Sequence, residues 1–224
     1  MKSQRFAHDG FEILPHILTD SECESISSSL AQISSKGVGF RNLLDFPWCK
    51  ELTQTIRLHH AIAAALPHDA VAVQCTYFEK SHGQNWLVPL HQDLSIPVRQ
   101  KIEHPELSGW SEKEGSVFVQ PPVAVLQQLV AVRLHIDECG VDDGPLRIVP
   151  ASHMHGRLSN ESALNARDHL GEVICPVAKG GALLLKPLLL HASSKAAGSS
   201  RRRVLHLVYG PRLLPFELEW QHAV

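Results

Sequence analysis

Apolar positions recur at two different spacings along this chain, and the switch between them divides it. In the first 70 residues they follow helical intervals. Thr19 and Glu22 have the spacing of a capping box, and Cys23, Ile26, Leu30 and Ile33 follow at three- and four-residue steps, which predicts an amphipathic helix beginning there. A second stretch carries Leu52, Ile56, Ile62 and Leu66 and stops at Pro67. From residue 71 the apolar runs become short and strand-like: 71–78, 128–136, 145–149, 173–177, 182–186 and 203–209. Turn signals lie between them at Asp143-Gly144-Pro145, Gly180-Gly181 and Ala197-Gly198-Ser199. Helices first, then many short strands without strand–helix alternation, predict an α+β, mainly β chain whose strands form a sandwich or jelly roll. The expected layout is one domain over 1–224, with a mainly helical part at 1–70 and a jelly-roll core at 71–210.

Composition agrees with one domain, because 224 residues at 44% hydrophobic content bury one ample core and leave little for a second. A formal net charge of -2 gives no general electrostatic reason to expect nucleic acid or an anionic membrane as partner. A small neutral or weakly charged molecule is the expected ligand, and a monomer or homodimer the expected state. The first residues, MKSQRFAHDGFEILPHILTD, contain no apolar core of a signal peptide, and no later run reaches bilayer length, so a soluble, cytoplasmic protein is expected. Cys23, Cys49, Cys75, Cys139 and Cys175 lie far apart with no C-x-x-C pair, the pattern of reduced core thiols rather than of a disulfide framework or zinc knuckle. With 15 histidines present, no single one points to a metal, and spacing has to decide.

The chemistry begins at His91-Gln92-Asp93. Residues two apart on an extended segment point to the same side, so His91 and Asp93 can offer an imidazole nitrogen and a carboxylate oxygen to one ion. Alone, H-x-D occurs by chance in many proteins and reads as a solvated loop. A third ligand must come from another strand, and the downstream candidates are His135, His153, His155, His191 and His206. His191 is best placed: it follows the apolar run 182–190, which enters from Gly180-Gly181, and Arg202 follows 11 residues later at the start of another strand. Two histidines and one carboxylate leave three sites open on a non-haem iron. A guanidinium fork binds a carboxylate bidentately and keeps its charge. Arg201-Arg202-Arg203 alone would read equally well as a solvated basic cluster or a nucleic-acid patch.

The segment Asp143-Gly144-Pro145-Leu146-Arg147-Ile148-Val149-Pro150-Ala151-Ser152-His153 resembles the N-G-P-L-x-x-x-P-G-S-H segment of the phytanoyl-CoA dioxygenase family. The H-Q-D upstream, the distal His191 and the later arginine follow that family's order too, so the resemblance covers roughly residues 70 to 210. Ala151 replaces the usual glycine, a mild change, and the chain is short for the family, which suggests a trimmed lid. The resemblance implies a double-stranded β-helix (a cupin-like jelly roll) with N-terminal helices packed on one sheet. It also implies Fe(II) on His91, Asp93 and His191, 2-oxoglutarate and O2 as co-substrates, and release of succinate and CO2. Related halogenases have a small residue in place of the carboxylate ligand, so Asp93 favours hydroxylation. The resemblance does not imply phytanoyl-CoA as substrate, because one fold and cofactor chemistry serve many small molecules.

Strand parity chooses among the arginines. With Arg202 facing inward, so do Val204, His206 and Val208, while Arg201, Arg203, Leu205 and Leu207 face outward, where the N-terminal helices would cover the leucines. Arg202 is thus the expected partner of the distal 2-oxoglutarate carboxylate, with Lys80 and Gln92 as further co-substrate candidates flanking the metal motif. In the strand 128–136, Arg133 and His135 share a face and are the expected substrate contacts. Trp110 is a third, within a polar connection at 100–120 of the length at which loops become lids. His153 and His155 are read as supporting rather than ligating. Two other readings stay open: a cupin-like metalloenzyme without 2-oxoglutarate, in which the arginine is structural, and a non-catalytic jelly-roll ligand binder.

Overall fold

Thr19 caps the first long helix as its spacing predicts. Its hydroxyl accepts from the Glu22 backbone N–H at 3.2 Å, and the Glu22 carboxylate accepts in return from the Thr19 N–H at 2.7 Å. The computed structural model describes residues 4–33, 39–81, 85–197 and 201–224, so Gly198 and Ser199 of the third turn signal lie outside the described residues. Its helices are α1 (Gln4–Asp9), α2 (Asp20–Ala31), α3 (Pro47–Leu58), α4 (His60–Ala63), α5 (Val123–Leu126) and α6 (Asn160–Leu170). Pro47 opens α3 at a position where its missing N–H costs nothing. The second apolar stretch is two helices rather than one, because His59 leaves helical geometry at ψ 124°.

The strands are β1 (Phe11–Leu14), β2 (Gly39–Phe40), β3 (Val71–Lys80), β4 (Val88–His91), β5 (Ile96–Val98), β6 (Ser108–Lys113), β7 (Ser116–Gln120), β8 (Val130–His135), β9 (Leu146–Ile148), β10 (Val173–Cys175), β11 (Ala182–Leu185), β12 (His191–Ser193) and β13 (Arg202–Gly210). They form a six-stranded sheet in the order β1-β11-β8-β13-β3-β2, a four-stranded sheet β10-β9-β12-β4, and a three-stranded sheet β5-β7-β6. The first two face each other as the walls of a jelly roll, with Ala131, Leu183, Leu185 and Val208 meeting Leu146, Ile148 and Leu189 between them. The outer face of the large sheet carries Val130, Val132, Leu134, Leu205, Leu207 and Tyr209, and Ile26, Leu30, Ile56 and Ile62 of the helices cover it. Each such buried aliphatic side chain contributes roughly 2 kcal/mol of transfer free energy. Tyr209 adds a buried tie, its hydroxyl donating to the Thr53 carbonyl at 2.8 Å.

The connection expected at 100–120 is instead a β-hairpin. Glu114 and Gly115 both have positive φ, 54° and 77°, the turn that matches strand twist, and β6 and β7 run antiparallel on either side of it. The five cysteines are free and buried. No described helix is long and apolar enough to cross a membrane.

Candidate active site

β4 and β12 are neighbours, and their register sets His91 directly opposite His191 with ring centroids 4.2 Å apart. Each imidazole Nδ1 lies on the carbonyl two residues before it, Pro89 at 2.8 Å for His91 and Leu189 at 2.9 Å for His191. A carbonyl only accepts, so each Nδ1 carries the proton and each Nε2 presents a lone pair. Asp93 sits just beyond β4, its backbone N–H donating to the Pro187 carbonyl at 2.9 Å. Its two carboxylate oxygens each stand 3.7 Å from one Nε2. That is too long for a hydrogen bond and somewhat wider than the roughly 3.0–3.4 Å between neighbouring ligands held at about 2.1 Å around one ion. The donor atoms of His91, Asp93 and His191 all fall within 4.8 Å of one another, so the set fits a divalent metal that prefers two imidazoles and a carboxylate. Burial pushes the His191 pKa down to about 4, which keeps its ring neutral. For Asp93 burial acts upward, but the surrounding His191, His91 and His206 outweigh it and hold the carboxyl well below its ordinary range.

The motif at 143–153 supports this cluster from behind. The Ser152 hydroxyl is fully buried, donates to the Val149 carbonyl at 2.7 Å and accepts from the Leu190 N–H at 2.9 Å, fixing the residue before His191. Gly144 has φ +64°, and its carbonyl accepts from the Arg202 guanidinium at 2.5 Å and from the Ser193 hydroxyl at 2.8 Å. Ala151 also has positive φ, +61°, a conformation that suits glycine and strains alanine, so the replacement is less mild than its size suggests. His153 packs on Gly10 and His155 is exposed, both away from the metal cluster.

A cavity of ≈ 450 Å³ opens in front of the cluster, in the size range of small-molecule sites. Lys80, Arg133 and Arg202 line it, each less than 9% exposed. Lys80 and Arg202 are register partners on β3 and β13, and the Lys80 ammonium donates to the Ser193 hydroxyl at 2.6 Å. Burial, reinforced by the charge of Arg202, lowers the Lys80 pKa to about 8. The outer arginines are used up elsewhere: Arg201 pairs with Glu79 and Arg203 forms a fork on Asp137 at 2.7 Å. Arg202 is therefore the inward member of the three.

Three expected contacts fall differently. Gln92 borders the cavity, but its amide is spent on backbone: it donates to the Gly156 and Leu188 carbonyls at 2.8 and 2.6 Å and accepts from the Leu158 N–H at 2.9 Å. It anchors the metal segment rather than reaching a co-substrate. Trp110 does not line the cavity; the irregular register between Ser108 and Ser111 turns it onto the inner apolar core, and Phe118, Gln120 and Lys113 face the cavity instead. His135 shares the inward face with Arg133 but sits at the far end of β8, buried and outside the lining. His206, left aside as a ligand candidate, is the residue the sequence reading undervalued. It lines the cavity with Nε2 3.9 Å from Asp93 and Nδ1 3.3 Å from the Arg133 guanidinium. Inward parity on β13, already assigned to it, was the available signal.

A jelly roll that holds two histidines and a carboxylate at the head of a cation-lined cavity defines the class of non-haem iron oxygenases that use 2-oxoglutarate. The chain belongs to the phytanoyl-CoA dioxygenase family, which matches residues 6–204. Among solved structures, it is similar to the epimerase SnoN from nogalamycin biosynthesis in complex with Fe3+, α-ketoglutarate and nogalamycin RO. That likeness has a TM-score of 0.70 at 13% identity and covers 92% of this chain and 81% of SnoN. HygX from Streptomyces hygroscopicus, with nickel, 2-oxoglutarate and hygromycin B bound, gives a TM-score of 0.66 at 21% identity, over 96% of this chain and 87% of HygX. AviO1 from Streptomyces viridochromogenes Tue57 gives 0.64 at 19%, over 95% and 94%. At these identities the likenesses establish the fold. No curated protein sequence matches the chain.

Proposed function

We propose that this chain is a single-domain hydroxylase of a small molecule, with His91, Asp93 and His191 holding Fe(II) and Arg202, assisted by Lys80 and Ser193, holding the distal carboxylate of 2-oxoglutarate. When bound, iron, 2-oxoglutarate and O2 together supply the oxidising chemistry and leave succinate and CO2. The observation that carries the reading is the pairing, in one cavity, of a three-ligand cluster with preset Nε2 lone pairs and a buried Arg202–Lys80 wall. The chain's own residues do the positioning. The Pro89 and Leu189 carbonyls fix both imidazole tautomers, and Gln92 ties the His91–Asp93 segment to the strand leading to His191. Apolar walls from Phe78, Ile96 and Phe118 limit water at the reacting end. The protein is assigned to the cytoplasm and to small-molecule rather than nucleic-acid or membrane partners, in keeping with its charge of -2.

The test is a screen of small metabolites for stimulated decarboxylation of 2-oxoglutarate by the iron-loaded protein, with mass spectrometry of the stimulating compound. A product heavier by one oxygen atom supports hydroxylation; an unchanged mass would replace it with an isomerase reading. Metal uptake without any 2-oxoglutarate turnover would favour the cupin-like alternative, and no metal uptake the ligand binder.

A further inference from the structure

The net charge of -2 conceals a local excess of the opposite sign. Lys80, Arg133 and Arg202 line the cavity with the half-buried Asp93 as the single carboxylate in its lining, and among the described residues no carboxylate comes within ion-pairing distance of any of the three. The remaining residues contain no Asp or Glu that could change this. The other cations at the cavity need no partner from it: Arg41 pairs with Glu114, and Lys113 is exposed to water. If Fe(II) and 2-oxoglutarate occupy the site as proposed above, the dianion and Asp93 together exceed the metal's charge by one. Arg202 cancels that, and Lys80 and Arg133 remain.

Lys80 has the Ser193 hydroxyl and the Ser194 carbonyl, and it stands across from Arg202 where the distal carboxylate is expected. Arg133 is different. It lies opposite His206 on β13, four residues or about 13 Å of strand beyond Arg202. One of its terminal nitrogens lies 3.3 Å from His206 Nδ1, its guanidinium stands 5.6 Å from the Phe78 ring, and its Nε is buried without a partner. An uncompensated buried cation is costly, and a planar fork aimed into an open cavity is suited to an oxyanion. Burial and the charge of Arg202 also act on it, bringing its pKa down to about 10, so it stays charged at neutral pH.

Resting on the iron and 2-oxoglutarate assignment, we infer that Arg133 anchors an anionic oxygen group, a carboxylate or a phosphate, on the primary substrate. The compound oxidised is then a small organic acid or phosphoester. Its apolar part lies against Phe78, Trp86 and Phe118, the aromatic side chains lining the same cavity.

The experiment uses full-length protein loaded with nickel, which does not turn over, and titrated first with 2-oxoglutarate and then, at fixed ionic strength, with benzoate, phenyl phosphate or neutral benzamide. At least one anion should bind about tenfold or more tighter than benzamide. Which of the two wins identifies the group. Arg133→Gln should erase that preference, Arg133→Lys should keep part of it, and both should retain 2-oxoglutarate affinity within about twofold, the scale of indirect effects. Circular dichroism of both variants confirms that they fold. Anions binding no better than benzamide, or an Arg133→Gln variant that loses 2-oxoglutarate affinity as much as anion preference, would overturn the inference. Wild-type protein that takes up no 2-oxoglutarate in the first titration would sink the co-substrate assignment and this inference with it, whereas failure of the second titration alone sinks only the latter.

Discussion

Replacing Gln92 by leucine separates a structural role from a ligand role at one residue. The substitution keeps the volume but removes three hydrogen bonds, to the carbonyls of Gly156 and Leu188 and from the N–H of Leu158. Gln92 is 9% exposed, so water replaces them poorly. At about 0.5–1.5 kcal/mol each, with the stranded backbone groups adding desolvation and the new methyl groups offsetting a little, the loss comes to about 2–4 kcal/mol. In a protein of this size 1 kcal/mol moves Tm by about 2–4 °C, so differential scanning calorimetry of the metal-free protein should show a fall of about 4–16 °C. The bonds tie His91 and Asp93 to the segment leading into His191, so Fe(II) affinity should fall about tenfold as ligand geometry loosens. The Michaelis constant for 2-oxoglutarate at saturating iron should stay within about threefold of wild type, as for a group outside the contact. An unchanged Tm with a many-fold rise in that constant would refute the anchoring role and return Gln92 to the co-substrate.

Other outcomes follow from the same geometry. Arg202→Ala should raise the 2-oxoglutarate Michaelis constant by about 100-fold, since a charge-assisted fork is lost and a carboxylate left unpaired, and Arg202→Lys should recover part of it. Arg203→Ala should instead lower Tm by leaving the half-buried Asp137 unpaired, and Arg201→Ala should change little because Arg201 is largely exposed, so 2-oxoglutarate kinetics controlled by either would show the register to be off by one. Lys80 is charged below its pKa of about 8, so kcat/KM for 2-oxoglutarate should fall as pH rises through that value; a Lys80→Gln variant with the same fall would assign it to another group. The folded-state pKa lies below the usual 10.5, so the metal-free protein binds fewer protons than its unfolded chain between these values and should gain stability as pH rises across them. Ala151→Gly should raise Tm by about 2–4 °C by relieving the positive φ, and a fall would mean that the backbone strain is compensated.

What could be read from the residues was whatever local physics dictates. The Thr19–Glu22 box, the apolar face of α2 and the alternation on β8 and β13 each reflect a short-range rule, and from parity on β13 alone Arg202 and His206 point inward and Leu205 and Leu207 toward the helices. The elements that escaped lack such signals. β5 is three residues with a proline at its centre, β4 four residues with another, and β6 is almost wholly exposed and polar, so none alternates. β1 owes its existence to pairing with β11, some 170 residues away, which no local window contains. Glu114-Gly115 was the one legible clue to the β6–β7 hairpin, and missing it turned a strand pair into a lid and put Trp110 in the wrong place. Gln92 was misplaced because proximity to a motif does not tell whether an amide faces a ligand or the backbone. Only its three backbone partners do.

The central claim, that His91, Asp93 and His191 hold an iron that consumes 2-oxoglutarate, is tested most directly by succinate formation from 2-oxoglutarate under air, with and without Fe(II), in wild type and in His191→Ala. Slow succinate release by the iron-loaded wild type, matched by CO2 and absent both without iron and in the variant, is the expected result. Undiminished succinate from His191→Ala, or none from iron-loaded wild type, would contradict it.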